Sequence, residues 1–291
     1  MRFQHYEAPK SLDACLQMLR HYGSDGRILA GGTDVIPRLR QRVSRVSALI
    51  DVTGIPELCA VSRDSRGILV GAAERLSDVQ LTVGTLTGPY RVLSVGAGHV
   101  SSLQVRNAAT LGGNLCNASP SADTVPPMIV LGAIAQLYGP AGAREIPVEE
   151  LLLSPGRTAL LENELLTGVL LPPALNRTGT AYHKYSIRGD SDIAIVGAAA
   201  SLTLDTTGVI QRARIALGAV GPKAVRPAEA ERLLVGQTPS LELFAEAAQL
   251  AKAECAPITD QRATADYRRE MVCVWTVHAL TDALANARSN A

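Results

Sequence analysis

Residues 104–123 read QVRNAATLGGNLCNASPSAD, a polar, small-residue stretch between two apolar regions. The pair Gly112-Gly113 lies inside it, flanked by Thr110, Asn114, Asn117, Ser119, Ser121 and Asp123. Residues without a Cβ let a backbone turn sharply and come close to a ligand. Exposed amides in such a turn form a concave anion site without any Lys or Arg. The same composition suits an ordinary solvent loop, because Gly, Asn and Ser dominate loops. A second loop of the same kind, Gly31-Gly32-Thr33-Asp34, lies earlier in the chain and favours the anion site.

The surroundings of the two loops are alike. Residues 11–22 form a helix, with Ser11 as cap and Leu12, Cys15, Leu16 and Leu19 as an apolar stripe at helical spacing. A strand at 27–30 runs into the first glycine loop, a short helix follows from Asp34, and a buried strand covers 48–52. The loop thus sits at a strand's C-terminal end and a helix's N-terminal end, where amides and the helix dipole favour phosphate. Residues 67–73 read as a strand, 76–80 as the opening of a helix, and 88–103 as turn-rich. The second loop leads through Pro126-Pro127 into an apolar run, IVLGAIAQL, and feeds a helix N-terminus too. No GxGxxG or GxxxxGK[ST] is present, so the pattern is neither a Rossmann fingerprint nor a P-loop.

Residues 164–171 read as a strand, and the segment LPPALNRTGT (171–180) divides the chain. Beyond it, three alternating stretches predict antiparallel strands, and three helices follow. The expected fold class is α+β, with domains at 1–174 (subdomains about 1–54 and 55–174) and 178–288.

Composition narrows the function classes. The 291 residues carry a net charge of +1, which gives no electrostatic case for nucleic acid or a membrane surface. Aromatic residues are 3% of the chain, too few for a base-stacking platform. No apolar run approaches a membrane-spanning length. The N-terminal MRFQHYEAPKSL lacks the layout of a secretory signal, so a cytoplasmic chain is expected. The five cysteines are scattered, which points to reduced thiols and away from an iron–sulfur cluster held by this chain. No His shares metal-ligand spacing, and no nucleophile–base pair stands out, so neither a metal nor a catalytic set is assigned.

Five segments carry a family resemblance: ILAGGTDV (28–35), QVRNAATLGGNLCNASPSADTVPP (104–127), YHKYSIRGDSDIAIVGAA (182–199), IALGAVGPKAVR (215–226) and ITDQRATADYRREM (258–271). In this order and spacing the chain resembles the FAD-binding medium subunit of the molybdenum hydroxylases, which include aerobic carbon monoxide dehydrogenase and xanthine dehydrogenase. The resemblance implies a two-subdomain FAD-binding fold of the vanillyl-alcohol-oxidase type, followed by a small α+β domain with a three-stranded antiparallel sheet. It implies two partners, a small subunit with [2Fe–2S] clusters and a large molybdopterin subunit, in a dimer of heterotrimers. Electrons would pass from the clusters through FAD to an external acceptor. The alternatives are a stand-alone FAD-dependent oxidoreductase and a scaffold without ligand.

The resemblance also implies residue roles. Leu29, Ala30, Gly31, Gly32, Thr33, Asp34 and Val35 would wrap the FAD pyrophosphate and nearby hydroxyls. Thr110, Gly112, Gly113 and Asn114 would close on it from the other side. Val100, Ser101 and Cys116 would join the cofactor-binding set, with Cys116 beside the flavin-binding backbone. Asp123 would lie at the adenosine end, or cap a helix. Leu165 would lie near the adenine, or be ordinary core. Lys184 and the loop up to Asp192 would lie over the isoalloxazine ring, or Lys184 would be a solvated strand-edge residue. Tyr182 and Tyr185 would contact the ring, or pack in the core.

Overall fold

The computed structural model describes residues 3–43, 46–84, 88–189 and 191–290. The chain begins with β1 (His5–Glu7), α1 (Leu12–Tyr22), β2 (Gly26–Leu29), α2 (Val35–Arg40) and β3 (Ala48–Asp51). β1 and β2 both pair in parallel with β3, in the order β1-β3-β2. Ser11 caps α1 by accepting from the Ala14 amide, and Cys15, Leu16 and Leu19 are its buried stripe. The glycine loop connects β2 to α2, as the sequence predicts. β1 is too short to show an alternation of its own.

The second part contains β4 (Val61–Asp64), β5 (Gly67–Gly71), α3 (Leu76–Gly84), α4 (Arg91–Gly98), α5 (Leu103–Arg106), α6 (Leu111–Cys116) and α7 (Val125–Val130). It continues with β6 (Ile134–Gly139), β7 (Gly142–Pro147), α8 (Val148–Leu151), β8 (Leu152–Ser154), β9 (Arg157–Thr158) and β10 (Leu165–Leu171). Five strands form an antiparallel sheet in the order β4-β5-β10-β6-β7.

Three local expectations are corrected here. The stretch 104–123 is not one loop but carries most of α5 and all of α6, and Gly112-Gly113 lie in the first turn of α6 with Thr110 as N-cap. The region 88–103 contains a helix, α4. Its Gly96 is a packing glycine, since a Cβ there would lie 2.6 Å from the Asp123 carbonyl and 2.7 Å from Pro127. The run after Pro126-Pro127 is helical only to Val130. Gly132, with φ +68°, ends α7 in the way left-handed glycines do, and the chain re-enters the sheet at Ile134.

The C-terminal part contains β11 (Thr178–Tyr185), β12 (Val196–Leu204), β13 (Ile210–Gly218), α9 (Ala228–Leu234), α10 (Leu241–Ala253) and α11 (Ala265–Ser289). The sheet is antiparallel in the order β11-β12-β13. The α+β class and the three-stranded C-terminal sheet are those expected. β12 is buried at every position, and its small residues serve two cores at once. Ala199 packs with Ala216 and Tyr182 into the core of the preceding part, while Ala198, Ala200 and Leu202 lie on the α11 side, in a core that α10 also enters.

Helix α11 lies so close to β11 that Gly179 has no room for a side chain. A Cβ there would sit 2.0 Å from the Ala287 amide nitrogen and 2.1 Å from the Ala283 carbonyl oxygen. Gly179→Ala is therefore expected to lower stability by about 1–3 kcal/mol, the usual cost of overpacking. Thermal or urea denaturation checks it, and an unchanged midpoint would refute the close packing.

Candidate functional site

The β2–α2 loop rests directly on the α5–α6 connection. A Cβ on Gly31 would lie 1.9 Å from the Ala108 carbonyl oxygen, so only glycine permits the approach. Gly32 adopts φ +70° and turns the chain into α2. Among the described residues, nothing accepts a hydrogen bond from the amides of Gly31, Gly32, Thr33, Asp34 or Val35. The next amide, that of Ile36, donates to the Gly32 carbonyl. Five consecutive unpaired donors around a left-handed residue make a concave anion site of the nest type.

The facing segment differs. The Leu111 amide donates to the Glu74 carbonyl, Gly112 to the Ala72 carbonyl, Gly113 to Thr110 Oγ1 and Asn114 to the Thr110 carbonyl. All four amides at the start of α6 thus have partners within the chain. Gly112 is there for proximity, since a Cβ would meet Ala72 at 2.7 Å. The two segments are tied by side chains as well. Asn117 Nδ2 donates to Asp34 Oδ1 at 3.2 Å, and Arg38 Nη2 donates to Asn117 Oδ1 at 2.8 Å.

Between them lies a cleft of about 670 Å³, within the usual range of cofactor sites. Ala30, Gly31, Gly32, Thr33, Asp34, Val35, Val100, Ser101, Thr110, Gly112, Gly113, Asn114, Cys116, Asp123 and Leu165 all line it. Leu29, Lys184 and Tyr185 do not. Tyr185 instead stacks on Trp275 and shares a hydrogen bond with Tyr267. Arg38, Asn117, Ser119, Ser121 and Thr158 line the cleft without having been singled out as contacts. Arg38 was legible one turn into the short helix, and Thr158 had no signal. Ser191, Asp192 and Ile193 bring the 189–192 loop to the cleft, with Asp190 outside the described residues. The Arg188 guanidinium holds the Asp192 carboxyl down at about 2. Burial pushes the Cys116 thiol up to about 12, which keeps it protonated and unreactive.

At one end of the cleft is a buried charge network. Asp123 accepts from Lys184 Nζ at 2.8 Å and from the Tyr182 hydroxyl at 2.7 Å. Lys184 Nζ also donates to the His99 carbonyl. The Lys184 and Asp123 side chains are 3% and 7% exposed, so this lysine is not a solvated edge residue. Asp123 does not cap α7, whose N-cap Thr124 makes no side-chain capping bond. Burial raises the Asp123 carboxyl above its ordinary range, opposed by Lys184 and Tyr182.

The cleft fits a dinucleotide: an amide run for phosphate, apolar walls such as Val52, Leu58 and Leu165 for ring systems, and hydroxyls between them. Residues 1–174 match the model of the FAD binding domain in molybdopterin dehydrogenase, and residues 181–283 that of the CO dehydrogenase flavoprotein C-terminal domain. The chain belongs to the FAD-binding subunit family of the molybdopterin dehydrogenases. It is 33% identical over 283 residues to the 6-hydroxypseudooxynicotine dehydrogenase complex subunit alpha of Paenarthrobacter nicotinovorans, covering 97% of this chain and 95% of that one. It is 32% identical to the carbon monoxide dehydrogenase medium chain of Hydrogenophaga pseudoflava, covering 98% of each. The solved structure of the Hydrogenophaga pseudoflava carbon monoxide dehydrogenase superposes with a TM-score of 0.93 at 33% identity over 98% of each chain. The N-terminal part is thus an FAD-binding domain, and the chain is a subunit of the molybdenum hydroxylase family. No helix among the described residues is long and apolar enough to cross a membrane.

Removing the cation of the buried network gives a pH signature. In Lys184→Met the Asp123 carboxyl loses its chief opposing charge, so its folded-state value rises further above the unfolded one. A group raised on folding contributes stability at low pH, lost as pH rises through the folded value. The variant is therefore expected to be about 3–5 kcal/mol less stable than the parent at neutral pH, the cost of an unpaired buried charge. The deficit should shrink on acidification. Urea denaturation of both proteins across that range checks it, and a deficit independent of pH would refute it.

Proposed function

We propose that this subunit carries electrons from [2Fe–2S] clusters on a small partner subunit, through FAD held in the cleft, to an external acceptor. Substrate oxidation would take place on a large molybdopterin subunit, in a dimer of heterotrimers located in the cytoplasm. The names of the two relatives, a complex subunit and a medium chain, support a multi-subunit assembly. The FAD-binding domain is assigned to 1–174, with subdomains about 1–54 and 55–174, and the C-terminal domain to 178–288.

The observation that carries this reading is the run of five unpaired amides from Gly31 to Val35, at the bottom of a cleft of cofactor size. These amides would hold the pyrophosphate, with Thr110, Gly112, Gly113 and Asn114 as the facing wall. The hydroxyls of Thr33, Ser101, Ser119 and Ser121 lie within the lining, available to sugar and ribityl hydroxyls. Leu165, at the end of β10, offers an apolar face to an aromatic ring. When bound, FAD supplies the redox chemistry, and the chain positions it and excludes water. Asp123 and Lys184 form a closed pair, so Lys184 acts from behind the cleft wall rather than over an open ring face.

A stand-alone oxidoreductase would need its own acid–base residues for substrate. Among the described residues the two cleft carboxylates with covered side chains, Asp123 and Asp192, are already paired with Lys184 and Arg188. The purified 291-residue chain is expected to show a flavin absorption spectrum with stoichiometric FAD and no turnover of organic substrate without partners. Gly31→Ala should lose the flavin while keeping the circular dichroism of the parent, because its methyl would collide with the Ala108 carbonyl. Gly113→Val should also lose it. Full flavin content in Gly31→Ala would sink the loop assignment, and substrate turnover by the chain alone would favour the stand-alone enzyme.

A further inference from the structure

A second cavity, of about 350 Å³, opens where the 172–175 connection joins the two halves of the chain. One wall is the face of β12 and β13 that carries Arg214 opposite Ser201 and Arg212 opposite Thr203. The opposite wall is the end of α7, with Gly132, and the Pro172-Pro173 linker. The Tyr90 hydroxyl fixes that linker by donating to the Pro172 carbonyl and accepting from the Ala174 amide.

Arg214 is half-buried yet has no hydrogen-bond or ion-pair partner among the described residues; Arg212 beside it is exposed and has none either. Its guanidinium is packed against the backbone of Gly132, where a Cβ would lie 2.0 Å from Nη1. Two carboxylates are nearby, Glu149 and Glu231, but both are engaged by Arg226. Three guanidinium groups thus face two carboxylates, leaving the pocket positive. Burial, with Arg226 and Arg212 beside it, disfavours the Arg214 charge, a cost that an anion would relieve. Charged side chains are rarely buried without a partner. Ser201, 9% exposed, keeps its hydroxyl unbonded within the lining.

We propose that this cavity binds a phosphate monoester, with Arg214 and Arg212 on the phosphoryl oxygens and Ser201 donating a further hydrogen bond. Guanidinium groups match phosphoryl geometry and charge. The cavity has room for on the order of ten waters, so a phosphoryl group fills only part of it and a small organic remainder fits beside the linker. The site lies apart from the FAD cleft, with which it shares no lining residue. Because it touches both halves, its occupant would also hold them together.

Calorimetry on the flavin-loaded 291-residue chain tests this, with glycerol phosphate and inorganic phosphate as titrants and chloride at matched ionic strength as control. Flavin loading keeps the cleft amides engaged, so the two sites are read separately. Both phosphates should bind saturably, the ester at least as tightly, and Arg214→Ala should weaken them about tenfold or more with flavin content unchanged. Arg212→Ala gives a second reading should the first variant misfold. Absence of saturable binding to the parent, or undiminished binding in the variants, would overturn the proposal. Binding of inorganic phosphate with exclusion of the ester would overturn the ester assignment.

Discussion

The cleft depends on one contact between two stretches of backbone. Gly31 lies against the Ala108 carbonyl with no space for a methyl group. This brings the β2–α2 loop onto the connection into α6, and so joins the parallel three-stranded sheet to the helices over the antiparallel five-stranded one. Gly112, packed on Ala72, fixes α6 on the end of β5 in the same way. The bonds from Asn117 to Asp34 and from Arg38 to Asn117 then hold the rims at a set separation. A side chain at either glycine would move one wall of the cleft against the other.

The C-terminal sheet is attached to this arrangement by charge as much as by packing. Asp123, at the end of the second segment, is buried against Lys184 and Tyr182 of β11. The Thr180 hydroxyl donates to the Pro89 carbonyl on the same side. Arg268, almost fully buried in α11, donates to the carbonyls of Ile195 and Ala219 and to Asp260. It thereby fastens the 258–264 segment to the sheet. Asp123 belongs both to the cleft lining and to this junction, so the cleft wall and the seating of the C-terminal sheet share one residue.

The first glycine loop was legible because local chemistry and topology agree there: strand, glycine pair, helix. Gly112-Gly113 reads as a turn, but both residues lie in a helix with ordinary φ values, and Gly112 is there to pack on Ala72. Glycine marks close approach as well as turning, and composition does not separate the two. Region 88–103 was obscured for the same reason, since Gly96 faces Asp123 and Pro127 rather than breaking α4. Lys184 was found by family position. Its pairing with Asp123, 61 residues earlier, depends on how two halves pack and leaves no periodic trace. The strands of the C-terminal sheet are legible as runs rich in small and apolar residues bounded by turns. That β12 serves two cores follows only from what covers each face.

An anion held on the peptide nitrogens of Gly31 to Val35 would be held without a titrating group. An amide has no proton to gain or lose near neutrality, unlike the lysine or histidine that other phosphate sites employ. In the proposed arrangement the grip of Gly31 to Val35 would thus be indifferent to acidity. It would be equally indifferent to which side chains occupy Thr33 or Val35, whereas the Asp34 side chain is tied to Asn117 across the cleft. Substitution at those two positions would then reshape the surface beside the bound anion while leaving its anchoring intact.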